Sequence, residues 1–269
     1  FSLLKMAAVP SPLRVHESTN LATLGVSPAS INFRGTSISD HSIVCREDAS
    51  VTIVDLAAGS TSRHGNHAEA ALIHPSSRSM AVRAGLQIQV FDMGRQQRIC
   101  GFAMPEVPEY WRWIDDRTLC LLTSTAFFTF DIRGPPDTQV RKLFDLHASL
   151  HGTQKIYADM SADGKWGSAH GIKKSADGQS IVGATQFYSV ERNVSQPLQA
   201  HTGCFGTVQH GRRDAMVFTF VELSPEKPAT LRVLEVGADK SDPKTLKVAP
   251  LSLPLAPGDF PTSMMISQK

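Results

Sequence analysis

The sequence predicts an all-β protein, a β-propeller of four-stranded WD-like blades. Two observations carry that prediction. One apolar cadence recurs at 51–56 (VTIVDL), 88–93 (IQVFDM), 127–132 (FFTFDI), 185–190 (TQFYSV) and 231–236 (LRVLEV). Each copy is β-rich, with a small or acidic residue fifth and an apolar residue last. Aligned on that fifth position (Asp55, Asp92, Asp131, Ser189, Glu235), the copies lie 37, 39, 58 and 46 residues apart. A strand-built period of about 40–50 residues marks a propeller blade. The second observation is the scatter of 16 prolines and 19 glycines among short strands, with 41% of residues apolar. A blade cannot bury both faces alone, so residues 1–269 read as one stacked domain with function in the grooves between blades.

Taken in order, β-branched and aromatic runs bounded by turn residues predict strands at 31–34, 42–46, 51–56, 70–74, 79–83, 86–93, 98–104 and 110–114. Further runs follow at 118–123, 126–132, 140–146, 155–160, 166–172, 180–190, 215–223, 230–236 and 246–253. Two Ser-Ala-Asp-Gly turns, at 161–164 and 175–178, bracket one hairpin element, because Asp and Gly both tolerate positive φ. Short helical turns fit 105–109 and 146–152. About five blades result. The run 263–267 reads as a strand opening another, so the expectation is a ring cut short of closure.

Composition narrows the function classes. A net charge of +2 gives no clustered basic face for nucleic acid. The four cysteines (Cys45, Cys100, Cys120, Cys204) form no CxxC pair and read as buried thiols of a reducing compartment. No run approaches the roughly 20 apolar residues of a membrane span. The segment 1–10 is too short for a secretory signal, so a cytosolic location is expected. His64, His67 and His74 are the densest histidine cluster, but they sit in a Ser/Gly/Asn-rich loop without cysteine and read as no metal site. There is no G-x-S-x-G elbow and no phosphate-cradling glycine run, so no catalytic residue and no cofactor is expected. Trp111 and Trp113 should share one strand face between blades. Gln89 and Phe91 alternate with Ile88 and Val90, so one pair should face a groove. Floored by Phe91 and Met93 and rimmed by Arg95 and Arg98, that groove would suit an extended peptide with apolar and acidic residues.

Several stretches carry a family. Residues 24–28 (LGVSP) through Phe33, Ala84-Gly85, Gln89–Phe91, Trp111-Arg112-Trp113, Phe144-Asp145, 188–197 (YSVERNVSQP) and Asp259-Phe260-Pro261 through Ile266-Ser267 resemble the clathrin heavy chain N-terminal domain. The match runs in order from about Pro12 to Lys269; 1–9 has no counterpart. The resemblance implies the first five or so blades of a seven-bladed, non-enzymatic docking module. Its inter-blade grooves bind short linear motifs of adaptor and accessory proteins in clathrin-mediated endocytosis and vesicle transport. It implies a cytoplasmic protein, peripheral on coated pits and vesicles and reaching membranes only through adaptors. The full-length heavy chain is expected to be trimeric with light chains, through regions outside this segment.

Site residues follow from the same resemblance. The clathrin-box groove, for Leu-apolar-x-apolar-acidic peptides, falls on His64, Met80, Gln87, Gln89, Phe91, Met93 and Gln96. Gln89 and Phe91 match outright. Gln96 stands where the family has lysine and His64 where it has arginine, and Arg63, Arg95 and Arg98 are candidates to restore the positive rim. The W-box pocket falls on Phe33, Gln154, Ile156 and Ile172. A groove between the fourth and fifth blades falls on Trp166, Phe187, Arg192, Val194 and Gln196, where only Phe187 departs, from leucine. Glu17 is the one candidate for a fourth site. The competing reading is a catalytic propeller with a hydrolase-like site at the central channel. It predicts converging ionisable groups at one mouth, where the placed residues Phe33, Gln154 and Ile156 are neutral.

Overall fold

The computed structural model describes residues 20–32, 35–65, 67–224, 227–238, 245–256 and 258–266. Its strands form five antiparallel four-stranded meanders in chain order. Blade 1 is β1 (Thr36–Ile38), β2 (Ser42–Glu47), β3 (Ser50–Asp55) and β4 (Ser60–Gly65). Blade 2 is β5 (Ala70–Ile73), β6 (Ser79–Ala84), β7 (Gln87–Asp92) and β8 (Gln97–Ala103). Blade 3 is β9 (Tyr110–Trp113), β10 (Thr118–Leu122), β11 (Ala126–Asp131) and β12 (Val140–Asp145). Blade 4 is β13 (Gln154–Met160), β14 (Trp166–Lys174), β15 (Ile181–Ser189) and β16 (Val194–Leu198). Blade 5 is β17 (Thr202–His210), β18 (Arg213–Ser224), β19 (Lys227–Glu235) and β20 (Leu251–Ser252).

The recurring cadence is the third strand of every blade, and each ends on the aligned fifth position. The reason is turn chemistry. Asp55 Oδ1 accepts the N–H groups of Ala57 and Ala58, both at 2.9 Å. Asp92 Oδ1 does the same for Gly94 and Arg95 at 2.9 and 3.0 Å, and Asp131 Oδ1 takes Arg133 N–H at 3.0 Å. Ser189 Oγ accepts from Arg192 N–H at 3.3 Å. A short acceptor there satisfies the N–H groups exposed as the chain reverses. The next, apolar residue then donates to the carbonyl of the basic residue before the blade's second strand. These bonds run from Leu56 to His41, Met93 to Arg78, Ile132 to Arg117 and Val190 to Lys165, at 2.8–2.9 Å.

Successive residues of a strand face opposite sides, so both faces of each sheet must be apolar. Val44, Val51 and Ile53 of blade 1 pack on Ala71, Ile73, Met80 and Val82 of blade 2. Ile88 and Val90, on the other face of blade 2, meet Trp113, Leu119, Leu121 and Phe130 of blade 3. Phe127 and Phe144 then stack toward Tyr188 of blade 4. Phe187 and Leu198 close on Phe205, Phe218 and Phe220 of blade 5. Polar ties add direction: Gln186 of blade 4 accepts from His147 N–H at 2.7 Å and donates to Asp145 O at 3.0 Å.

The structure corrects several expected elements. Ile31 and Asn32 are not in a strand; a 3-10 turn, Pro28–Ser30, precedes them, and Phe33 and Arg34 lie outside the described residues. The run 105–109 forms no helical turn, whereas 146–152 contains the 3-10 turn Ala148–Leu150. The strand expected over 246–253 shrinks to Leu251–Ser252, with one bridge from Lys247 to Leu234. Residues 263–266 are not in a strand, and Ser267 lies outside the described residues. Strands β1, β4, β16 and β17 had not been expected. For the outer strands β4 and β16 the reason is exposure: STSRHG is exposed throughout and VSQPL nearly so, and an outer strand carries no apolar signature.

Candidate functional site

On β7, Gln87, Gln89 and Phe91 share the face turned toward blade 1, because Ile88 and Val90 are fully buried toward blade 3. Phe91 and Met93 lie half-buried against the blade 1–2 core. On β4, His64 and Ser62 pair with Val51 and Ile53, so they face blade 2. At the Met93 end of the seam between these faces opens a cleft of 260 Å³ whose lining includes Ser62, His64, Arg78, Met93 and Gln96 but not Met80, Gln87, Gln89 or Phe91. Gln96 is held there in a left-handed conformation, φ 52°. Met80 is buried beneath the face at 6% exposure, and Gln87 is exposed at the opposite end of β7.

The positive rim differs from expectation. Arg63 is on the opposite face of β4, paired with Glu47 at 3.0 Å and bonded to Gly25 O at 3.1 Å, so it does not serve the cleft. Arg98 lies across the ladder from Phe91, and Arg95 is 81% exposed beside Asp92. Arg78 was missed by sequence reasoning. It is exposed, lines the cleft, and helps to hold the Asp55 carboxyl below its usual range, after the Ala58 and Ala57 N–H bonds. The readable signal was the basic residue standing before the second strand of successive blades.

At the inner end of blade 4, Gln154 and Ile172 are cross-strand neighbours, while Ile156 occupies a bulge and is buried. Phe33 lies outside the described residues, as does Glu17. Gln154 lines an axial cavity of 860 Å³ bounded by the innermost strands of blades 1 to 4. The neutral mouth expected there is corrected: Glu69, Arg83, Glu109, Arg112 and Lys155 all line it. Most are tied to one another or to the wall. Arg83 meets Glu69 at 2.7 Å, Arg112 meets Asp159 at 3.9 Å, and buried Lys155 meets Glu109 at 3.3 Å. Lys155 Nζ also donates to the carbonyls of Leu150 and Thr153. Burial pushes the Asp159 carboxyl up, against the pull of Arg112.

Trp166, Phe187, Val194 and Gln196 share one face of blade 4, because Trp166 and Val194 both pair with Ser189, and Phe187 pairs with Ser168 and Gln196. That face meets blade 5. The Trp166 and Phe187 rings stack at 5.0 Å, and Phe187 continues to Phe218 at 4.9 Å. Val194 is 57% exposed and Arg192 projects from the adjoining turn. Tyr188 donates its hydroxyl proton to Asn193, which is left-handed at φ 52° and fixes that turn.

No family model matches the chain. Clathrin heavy chain 2 of Homo sapiens is 33% identical over 269 residues, covering 96% of this chain and 16% of that protein. The probable clathrin heavy chain 1 of Caenorhabditis elegans is 32% identical with the same coverage, and the clathrin heavy chain of Drosophila melanogaster is 30% identical over 271 residues. The chain thus spans 16% of the length of the curated relatives it matches. Among solved structures, the Neurospora crassa Pan2 WD40 domain superposes with a TM-score of 0.47 at 12% identity, covering 76% of this chain and 61% of that one. At that level the propeller assignment rests on the five sheets themselves.

Proposed function

Starting from this chain being a homologue of the clathrin heavy chains along nearly its whole length, we propose that it is a non-enzymatic docking module of a vesicle coat. Its inter-blade clefts receive short linear motifs of adaptor and accessory proteins. The carrying observation is that β7 presents Gln89 and Phe91 to blade 1, beside a cleft lined by His64, Arg78, Met93 and Gln96. An extended Leu-apolar-x-apolar-acidic peptide fits that setting: apolar side chains against Phe91 and Met93, the acidic end toward Arg78 and Arg98. Gln154 with Ile172, and Trp166 with Val194 and Gln196, are read as two further docking places. The parent heavy chain is read as trimeric with light chains through segments beyond this one, on the cytosolic face of coated pits and vesicles, and reaching membranes through adaptors. No helix among the described residues is long and apolar enough to cross a membrane.

The catalytic alternative has its ionisable groups in the axial cavity, but Arg83, Lys155 and Arg112 each stand beside a carboxylate, an arrangement that favours a braced wall over a reactive one. Titration of a fluorescent Leu-Ile-Asp-Leu-Glu peptide, beside a scrambled control, tests the docking reading. Saturable binding of the ordered peptide alone supports it, and equal behaviour of the two peptides counts against it.

A further inference from the structure

We infer that the axial cavity takes an acidic side chain of a bound peptide, and that Arg46 is the residue that holds it. Arg46 and Arg83 each stand fifth in the second strand of their blade, β2 and β6. Both are fixed by backbone bonds to the residue before the inner strand: Arg46 N–H donates to Gly35 O at 2.7 Å, and Arg83 O accepts from Glu69 N–H at 2.8 Å. In blade 2 the cation is neutralised, because Glu69 meets Arg83 at 2.7 Å. Blade 3 has buried Leu122 at that position, and its Glu109 turns to Lys155 instead. Blade 1 keeps the arginine without the acid. Arg46 Nε donates to Ala68 O at 3.2 Å, and its two Nη atoms meet no carboxylate among the described residues.

The surroundings favour a carboxylate as the missing partner. Arg46, Arg83, Arg112 and Lys155 line the cavity; Glu69, Asp159 and Glu109 stand beside the last three, which leaves Arg46 as the lining cation without a carboxylate among the described residues. A guanidinium with two parallel donors in a half-enclosed site binds a carboxylate more strongly than it binds an amide of the same shape. Leu72, Val107, Pro108 and Trp111 supply an apolar wall beside it. At 860 Å³ the cavity has the size of an ordinary ligand site. The ligand is therefore a short segment with an apolar residue next to an acidic one. The inference rests on the docking reading and deepens one of its places, since Gln154 lines this same cavity; the opening is other than the blade 1–2 cleft.

The test uses the intact protein with acetyl-Ala-Leu-Asp-Ala-amide and its Asn counterpart, both too short for the five-residue box pattern. By calorimetry the Asp peptide should bind about tenfold more tightly than the Asn peptide. Arg46→Gln should abolish that preference, and Glu69→Gln, which releases Arg83, should enlarge it. Equal affinity of the two peptides for the unmodified protein overturns the proposal, as does an Asp preference that survives Arg46→Gln. Should Arg46→Gln fail to fold, Glu69→Gln decides: a larger preference supports the site and no change overturns it. Failure of the box pentapeptide alone, with Asp preference intact, strikes the cleft reading and leaves this site standing.

Discussion

Trp166 stacks on Phe187, with ring centroids 5.0 Å apart and planes 26° apart, on the face of blade 4 that meets blade 5. The two rings have different tasks. Phe187 also touches the Phe205 and Phe218 rings and belongs to the interface, whereas Trp166 stacks on no ring of blade 5 among the described residues. Phe187→Ala should therefore cost about 3 kcal/mol of stability in urea unfolding, and Trp166→Ala about 1 kcal/mol, the value of a stacked pair. Equal losses would place Trp166 in the interface and remove it from any docking groove.

Charge at the blade 1–2 cleft should be adjustable. Gln96→Lys adds a cation beside Arg78 and should tighten an acidic peptide by up to about 1 kcal/mol, mainly through faster association at low salt. Arg78→Gln should act in the opposite direction. Stopped-flow association rates at two ionic strengths check both, and an unchanged rate in Arg78→Gln would assign the rim to Arg95 and Arg98.

The repeat cadence predicts a turn effect. Asp92→Ala strands the N–H groups of Gly94 and Arg95 and should cost about 1 kcal/mol, while Asp92→Asn keeps the accepting oxygen and should cost less. Chemical denaturation of both variants measures the difference. Identical losses would mean that charge, not the turn bond, matters at this position.

Acid should loosen the fold in two steps. Burial pushes His170, enclosed by Thr185 and Ser168, down to about 3. Its folded pKa lies below the unfolded value near 6.5, so the unfolded chain binds the proton first. Stability is full above that value and falls as pH drops from there toward 3. Glu235 is pulled down to about 2 by Arg213 and the Leu246 N–H. Its contribution is present above its ordinary 4.5 and is lost between there and 2. Stability measured against pH should lose its upper slope in His170→Gln and its lower slope in Glu235→Gln. A Glu235→Gln profile parallel to the unmodified protein below pH 4.5 would contradict the assignment.

Legibility in the sequence followed physical cause. The third strands were plain because each is a β-rich run closed by a short polar or acidic residue, and β3, β11 and β15 are largely buried as well, so VTIVDL and its copies repeat residue types as well as hydropathy. The outer strands β4 and β16 were not, since STSRHG is exposed throughout and VSQPL all but at Leu198, so neither carries an apolar run. The alternation of Gln89 and Phe91 placed them on one face without further help. Arg63 misled because its side of β4 depends on register, and one residue reverses it. The Lys155–Glu109 and Arg112–Asp159 pairs were invisible for another reason: they join residues of different blades, whose adjacency only the stacking of blades creates.

Docking at the blade 1–2 seam requires that a peptide rest on Phe91, beside the cleft. The most direct measurement is the affinity of the labelled Leu-Ile-Asp-Leu-Glu peptide for the unmodified protein, for Phe91→Ala and for Trp166→Ala, each checked by its melting curve. Phe91→Ala should lose about 2–4 kcal/mol of binding while still melting cooperatively, and Trp166→Ala should bind as the unmodified protein does. Undiminished binding to a folded Phe91→Ala protein would contradict the claim.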